Sequence, residues 1–151
     1  MNLESIYNFL PLTDKLLTGG MPTAEQLSAA AEAGVQVVVN LAPYNPARDL
    51  VNEDLLVKSL GMEYINIPVE WDSPNRQSFQ EFMSVMDTHQ KDKLLVHCRA
   101  NFRVSGYIAL YRILRLGWQR EEAFKDLRRF WNPADYPIWQ KFIEQTLTEE
   151  H

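Results

Sequence analysis

The sequence predicts a single α/β domain: a mainly parallel central sheet of about four to five strands with helices on both faces. Three observations carry this. Short runs such as Val35 to Leu41 (VQVVVNL) and Leu94 to Val96 are apolar without polar alternation, as in strands buried on both faces of a parallel sheet. Segments of helical periodicity alternate with those runs along the chain. The 151 residues, 46% of them hydrophobic, allow one sizeable core and leave no room for two. Residues 1–151 are therefore read as one domain.

Taken in order, residues 3–9 suggest a short helix ending near Pro11, and Lys15 to Thr18 a short strand stopped by Gly19-Gly20. Thr23 is a candidate N-cap, and Gln26 completes a capping box for a helix with Leu27, Ala30 and Ala31 inward and Gly34 at its end. After the Val35–Leu41 strand, residues 42–46 form a loop. Residues 49–60 suggest a helix closed by Gly61, and Met62 to Ile67 a strand stopped by Pro68. Phe79, Phe82, Met83 and Met86 recur at helical spacing and predict an amphipathic helix over 77–90. The strand at Leu94–Val96 leads through a tight loop into an apolar helix from about Val104 to Leu116. Two more helices follow, Gln119 to Trp131 and Tyr136 to Leu147, separated by Pro133. The aromatic residues Trp118, Phe124, Phe130, Trp131, Trp139 and Phe142 read as core. In open α/β sheets ligands bind beyond the carboxyl ends of the strands. The loops at 42–48, 68–75 and 98–103 all follow strands and share that rim.

Composition narrows the function. No segment approaches the apolar length of a membrane span, and Met1 to Ser5 lacks the start of a signal peptide, so a cytoplasmic location is expected. One cysteine excludes an intramolecular disulfide. Residues 1–90 hold four Lys/Arg against twelve Asp/Glu (−8), whereas residues 91–151 hold eleven against eight (+3). The acidic whole argues against nonspecific nucleic-acid binding, and without an apolar span no membrane partner is expected. The cationic second half would draw in an anion.

That half contains Lys93-Leu94-Leu95-Val96-His97-Cys98-Arg99-Ala100-Asn101-Phe102-Arg103-Val104-Ser105-Gly106. A strand–loop–helix junction points backbone N–H groups and a helix dipole at one spot, which suits an anion and activates a thiol placed there. Arg103 can fold back to grip an oxyanion with two N–H groups. Ser105 can hydrogen-bond back to the sulfur, and His97 can orient the loop through its ring. The three histidines, at 89, 97 and 151, lack metal-ligand spacing, so neither a metal nor another cofactor is expected.

His97-Cys98-Arg99-Ala100-Asn101-Phe102-Arg103 resembles the signature loop of cysteine-dependent protein tyrosine and dual-specificity phosphatases. Residues 17–27, 34–41 and 61–69 resemble one bacterial branch, the phosphatase-like family of unknown function found beside metallo-β-lactamase-type hydrolases. The resemblance spans about residues 15–117. It implies a phosphatase-like fold and a phosphomonoester substrate, either a phosphorylated small molecule or a phosphoprotein, with phosphate or sulfate able to sit in the loop. It implies that Cys98 attacks phosphorus and that Arg103 and the loop amides around Arg99, Ala100, Asn101 and Phe102, with His97, hold the phosphate. Ser105 would help expel the thiolate. Asp72 in Glu70-Trp71-Asp72-Ser73-Pro74 resembles the residue of the acid-bearing loop, and Glu70 is the alternative general acid.

Two departures stand out. The usual loop has five residues between cysteine and arginine, whereas this one has four and places Val104 where the arginine would stand. The usual loop glycine is Asn101, a residue that tolerates positive φ better than most. A loop this short is also similar to that of rhodanese-type sulfurtransferases, where the cysteine carries a persulfide. Sulfur transfer, or phosphate binding with weak catalysis, is therefore the alternative expectation. Arg99, Tyr44 and Arg48 are read as either pocket or plain loop residues. The run Arg112, Arg115, Arg120, Lys125, Arg128 and Arg129 is punctuated by acids and read as a solvated helical face.

Overall fold

The structure, a computed structural model, describes residues 2–149. Among these residues the strands are β1 (Leu10–Pro11), β2 (Leu16–Gly19), β3 (Val37–Asn40), β4 (Glu63–Asn66) and β5 (Leu94–His97). They form one sheet in the order β1-β2-β5-β3-β4, antiparallel only at β1–β2. The helices are α1 (Ala24–Glu32), α2 (Glu53–Ser59), α3 (Arg76–Thr88), α4 (Phe102–Leu114), α5 (Arg120–Leu127) and α6 (Pro137–Glu149). The α/β architecture with a mainly parallel sheet expected from the sequence is the one observed.

Alternate residues of the central strands enter two separate cores, because successive side chains point to opposite faces. Val37, Val39, Leu94 and Val96 pack with Phe79, Phe82 and Met83 of α3 and with the body of α4. Val38 and Leu95 pack with Leu27 and Ala30 of α1 and Val57 of α2. The unbroken apolar runs thus reflect burial on both faces. Helix α4 lies deepest, with every residue from Val104 to Arg112 buried.

Local signals act where the sequence placed them. The Thr23 hydroxyl accepts from the Gln26 amide and Gln26 Oε1 accepts from the Thr23 amide, completing the capping box. Gly34, Gly61 and Gly117 end their helices at positive φ. The Asn75 side chain caps α3 by accepting from the Ser78 amide.

Three expectations are corrected. Residues 3–9 make only a 3-10 turn at Leu3–Ser5, after which Asn8 at φ 51° turns the chain so that Leu10 pairs with Thr18. The helix expected over 49–60 begins at Glu53, because Asn52 is left-handed at φ 58° and the Asp49 carboxylate is taken by the Asn45 amide and Arg99. Trp118 is also outside the core: it is 38% exposed and lies beneath the Arg112 guanidinium, 4.1 Å away.

The strands end together. Gly19, His97, Asn40 and Asn66 form one rung across β2, β5, β3 and β4, where the apolar sheet gives way to polar residues. The next turn of chain after β2 must pass close to the loop after β5. A Cβ on Gly20 would lie 2.5 Å from the Arg99 carbonyl oxygen and 2.9 Å from that of Tyr7, both backbone atoms. Gly20→Ala is therefore expected to destabilise the fold by about 1–3 kcal/mol through backbone displacement. Thermal unfolding measures this, and an unchanged midpoint would show that the approach is looser than described.

Candidate active site

The loop from Cys98 to Asn101 joins β5 to α4 at the carboxyl edge of the sheet. The scaffold holds it on several sides. The Cys98 amide donates to the Gly19 carbonyl at 3.3 Å, and the Met21 amide donates to the Arg99 carbonyl at 3.1 Å. Asn8 Nδ2 donates to the Ala100 carbonyl at 2.9 Å, and Asn101 Nδ2 returns to the Asn8 carbonyl and to Thr18 Oγ1, each at 3.0 Å. Asn101 stands at φ 68°, so the tolerance for positive φ read from the sequence is used.

The side chains named from the sequence mostly face the scaffold. His97 is fully buried, with Nε2 2.7 Å from Glu53 Oε2. Arg99 clamps Asp49 with two N–H groups at 2.6 and 2.9 Å and donates to the Pro43 carbonyl at 2.9 Å. Phe102 stacks on Trp131 at 5.7 Å between centroids, and Asn101 is fully buried. The expected hydrogen bond from Ser105 to the sulfur is not formed: Ser105 Oγ donates to the Phe102 carbonyl and accepts from Trp131 Nε1, both at 3.0 Å. What remains toward a ligand is the backbone. The amides at the first turn of α4 have no intrahelical acceptor, since the Ser105 amide makes the first bond, to Asn101.

Cys98 is 1% exposed, so its thiol lies within the fold and not on a surface. Arg103 sits beside it on the first turn of α4. Burial pulls the guanidinium below its ordinary range; the charge of Cys98 acts the other way, Arg99 deepens the shift and Glu70 opposes it. Those are the charges arranged around Arg103. Its Nε is buried without an acceptor, an arrangement that costs free energy unless an oxyanion completes it.

The two candidate acids separate. Glu70 is the carboxylate whose charge reaches Arg103. Asp72 lines a different depression, with Asp135, Tyr136 and Ile138. The intervening Trp71 is the anchor: it packs within 5.1–5.9 Å of Phe102, Trp131, Tyr136 and Trp139, and its carbonyl accepts from Trp139 Nε1 at 2.8 Å. Arg103 lies 6.0 Å from the Trp71 ring. Gly106 permits this cluster, because a Cβ there would meet Trp139 at 3.2 Å and Trp131 at 3.3 Å.

Two residues that sequence reasoning missed complete the surroundings, Asp49 and Glu53. Both line a cleft of about 480 Å³ with Tyr44, Tyr64 and Asn66, beyond the ends of β3 and β4. Neither belongs to a motif, and their partners are 50 and 44 residues away. No helix of the described residues is long and apolar enough to cross a membrane.

Comparison with known proteins agrees with this geometry. The family described as "DSP-PTPase phosphatase fused to NAD+ Kinase" matches residues 11–136. No curated protein matches. The DUF442 protein of Shewanella putrefaciens CN-32 superposes with a TM-score of 0.89 at 33% identity, covering 99% of this chain and 97% of that one. TpbA of P. aeruginosa, crystallised as a cysteine-to-serine form with pTyr, gives 0.70 at 17% identity, covering 95% and 85%. The core catalytic domain of the PP-IP phosphatase SIW14 of S. cerevisiae, bound to citrate, gives 0.75 at 21%, covering 92% and 85%. The last two establish likeness of fold.

The Arg99–Asp49 clamp has a pH signature. Burial raises the Asp49 carboxyl, but the Arg99 hydrogen bonds, the Asn45 amide and the charges of Arg99 and Arg48 outweigh it and hold it below its ordinary value. Stability from the clamp is thus present above the unfolded-state value of about 4 and lost as pH falls through the lower folded value. Asp49→Asn should remove that acid-side dependence and speed amide exchange in residues 43–52. Unchanged exchange would show that the loop is held by other contacts.

Proposed function

Because this chain belongs to the dual-specificity and protein-tyrosine phosphatase family, we propose that it hydrolyses a phosphomonoester through a phosphorylated Cys98. The observation that carries this is the buried, acceptor-free Nε of Arg103 beside Cys98 at the first turn of α4. A phosphoryl oxygen is the acceptor that this N–H and the first-turn amides lack, and charge on that oxygen grows during transfer. The Cys98 thiolate attacks phosphorus, the P–O bond to the leaving group breaks, and a protonated carboxyl delivers its proton to the departing oxygen. The same group then takes a proton from water, which attacks phosphorus, and Cys98 departs as thiolate with release of inorganic phosphate.

We favour Glu70 as the acid, because Asp72 lines a separate depression with Asp135 and Tyr136 while the charge of Glu70 adds slightly to the field at Arg103. Ser105 then acts through Trp131 and the Phe102 carbonyl, not through a bond to sulfur. The substrate is a phosphorylated small molecule or phosphoprotein; TpbA with pTyr supports the aryl ester as a first probe. We place the protein in the cytoplasm, and in the bacterial branch found beside metallo-β-lactamase-type hydrolases.

Cys98→Ser should abolish phosphate release from an aryl phosphate, and Arg103→Lys should reduce kcat/KM about 100-fold or more through loss of the planar fork. A persulfide on Cys98 after thiosulfate, with no phosphate release, would replace this reading with sulfur transfer. Glu70→Gln should lower kcat about 100-fold while Asp72→Asn changes it only a few-fold. The reverse order would return the acid role to Asp72.

A further inference from the structure

The cleft of about 480 Å³ beyond the ends of β3 and β4 has no part in the chemistry above. It begins one strand away from the nucleophile. Asn40, which ends β3 and lines the cleft, pairs in register with His97, and Cys98 follows His97. Neighbouring strands lie about 5 Å apart, so an ester held at the Cys98 loop can lay its alcohol across the end of β3. Arg99 links the two places, since it leaves the loop to clamp Asp49 in the cleft wall.

The lining selects what enters. Clefts of this size are usually apolar with a few polar groups; here Ala42 and Leu50 are the only aliphatic side chains among the lining residues. The Tyr64 hydroxyl accepts from Asn40 Nδ2 at 3.1 Å, and its own O–H has no acceptor among the described residues. Burial first, and then the charges of Glu53, Asp54 and Asp49, push that hydroxyl to about 12, so it is a neutral donor. Asn66 directs Nδ2 at the Asn40 and Ala42 carbonyls, which leaves its Oδ1 as an acceptor. Among the described residues no side-chain bond engages Asn52, Asp54 or Lys58. Tyr44, 57% exposed, offers an aromatic face at the rim. Donors and acceptors thus stand side by side. A hydroxyl group both donates and accepts, so several hydroxyls on one small frame satisfy this mixture. A second phosphate does not fit it, because Asp49, Glu53 and Asp54 border the cleft and Lys58 is the one cation among its lining residues.

We propose that the cleft is the subsite for the leaving alcohol and takes an uncharged polyhydroxylated group, so that the substrate is a sugar or polyol phosphorylated once. This rests on the phosphatase reading and names the class of ester on which that chemistry acts.

The test measures phosphate release from ribose 5-phosphate, glucose 6-phosphate and myo-inositol 1-phosphate against ethyl phosphate, an alkyl ester without hydroxyls. Phenyl phosphate reports the phosphatase reading by itself. At least one polyol monophosphate should exceed ethyl phosphate about tenfold or more in kcat/KM, and a second phosphate on that preferred polyol should lower kcat/KM about fivefold or more. Tyr64→Phe and Asp54→Ala should each reduce the ratio of preferred ester to ethyl phosphate about fivefold, the scale of one hydrogen bond. In Cys98→Ser, where no ester turns over, NMR amide resonances of residues 52–54 and 64–66 should shift with the preferred monophosphate and not with ethyl phosphate. Hydrolysis of phenyl phosphate with no polyol monophosphate ahead of ethyl phosphate overturns this inference and leaves the phosphatase reading standing, even if a variant fails to fold. A bisphosphate preferred over its monophosphate overturns it as well, and so does an unchanged ratio in folded Tyr64→Phe and Asp54→Ala. Cleft shifts with a polyol monophosphate, but hydrolysis of no ester, would keep the cleft as a polyol site and refute the phosphatase reading. Neither shifts nor hydrolysis would overturn both.

Discussion

Helix α4 is buried from Val104 to Arg112 while its first turn follows the Cys98 loop. Everything at the site depends on that constraint. A helix packed on all sides cannot shift without opening a cavity or a clash. Its first-turn amides and Arg103 are therefore held by the same contacts that make the core. The sheet fixes the other half, since β5 lies between β2 and β3 and ends on the same rung as both. Cys98 follows that rung directly, so its position comes from the most constrained strand in the fold.

The loop's own side chains serve mainly to hold the loop. Arg99, Asn101, Phe102 and His97 reach to Asp49, Thr18, Trp131 and Glu53. In the proposed phosphatase this leaves backbone N–H groups and a single guanidinium for the phosphate. Such a cradle undergoes little reorganisation when charge develops, which is the condition under which fixed dipoles lower a barrier. Trp71 extends the order to the neighbouring loop. Packed among four aromatic rings and bonded through its carbonyl to Trp139, it also lies 6.0 Å from the Arg103 guanidinium. The Glu70–Asp72 loop is thus tied to α6, although the two are far apart in sequence.

Much of the fold was legible because its signals are local. Thr23 and Gln26 cap a helix three residues apart, glycines end helices, and Phe79, Phe82, Met83 and Met86 share one helical face. The errors are local as well. Residues 3–9 and 49–52 have helix-compatible composition, but Asn8 and Asn52 adopt left-handed conformations there. Composition does not reveal that choice, which is set by the strand pairing of Leu10 in one case and by the Asp49 clamp in the other.

By itself the sequence determined the α/β class, the strands buried on two faces, the phosphatase-type loop and the placing of Cys98 and Arg103 at a helix start. Periodicity and short motifs encode these within a few residues. Only the tertiary structure decided that His97 meets Glu53, that Arg99 meets Asp49, that Ser105 bonds to Trp131, and that Asp72 lines a depression with Asp135 and Tyr136. Each of these pairs joins elements remote in the chain. Their meeting depends on strand order and on how α2, α5 and α6 pack, which no local pattern of residue types records.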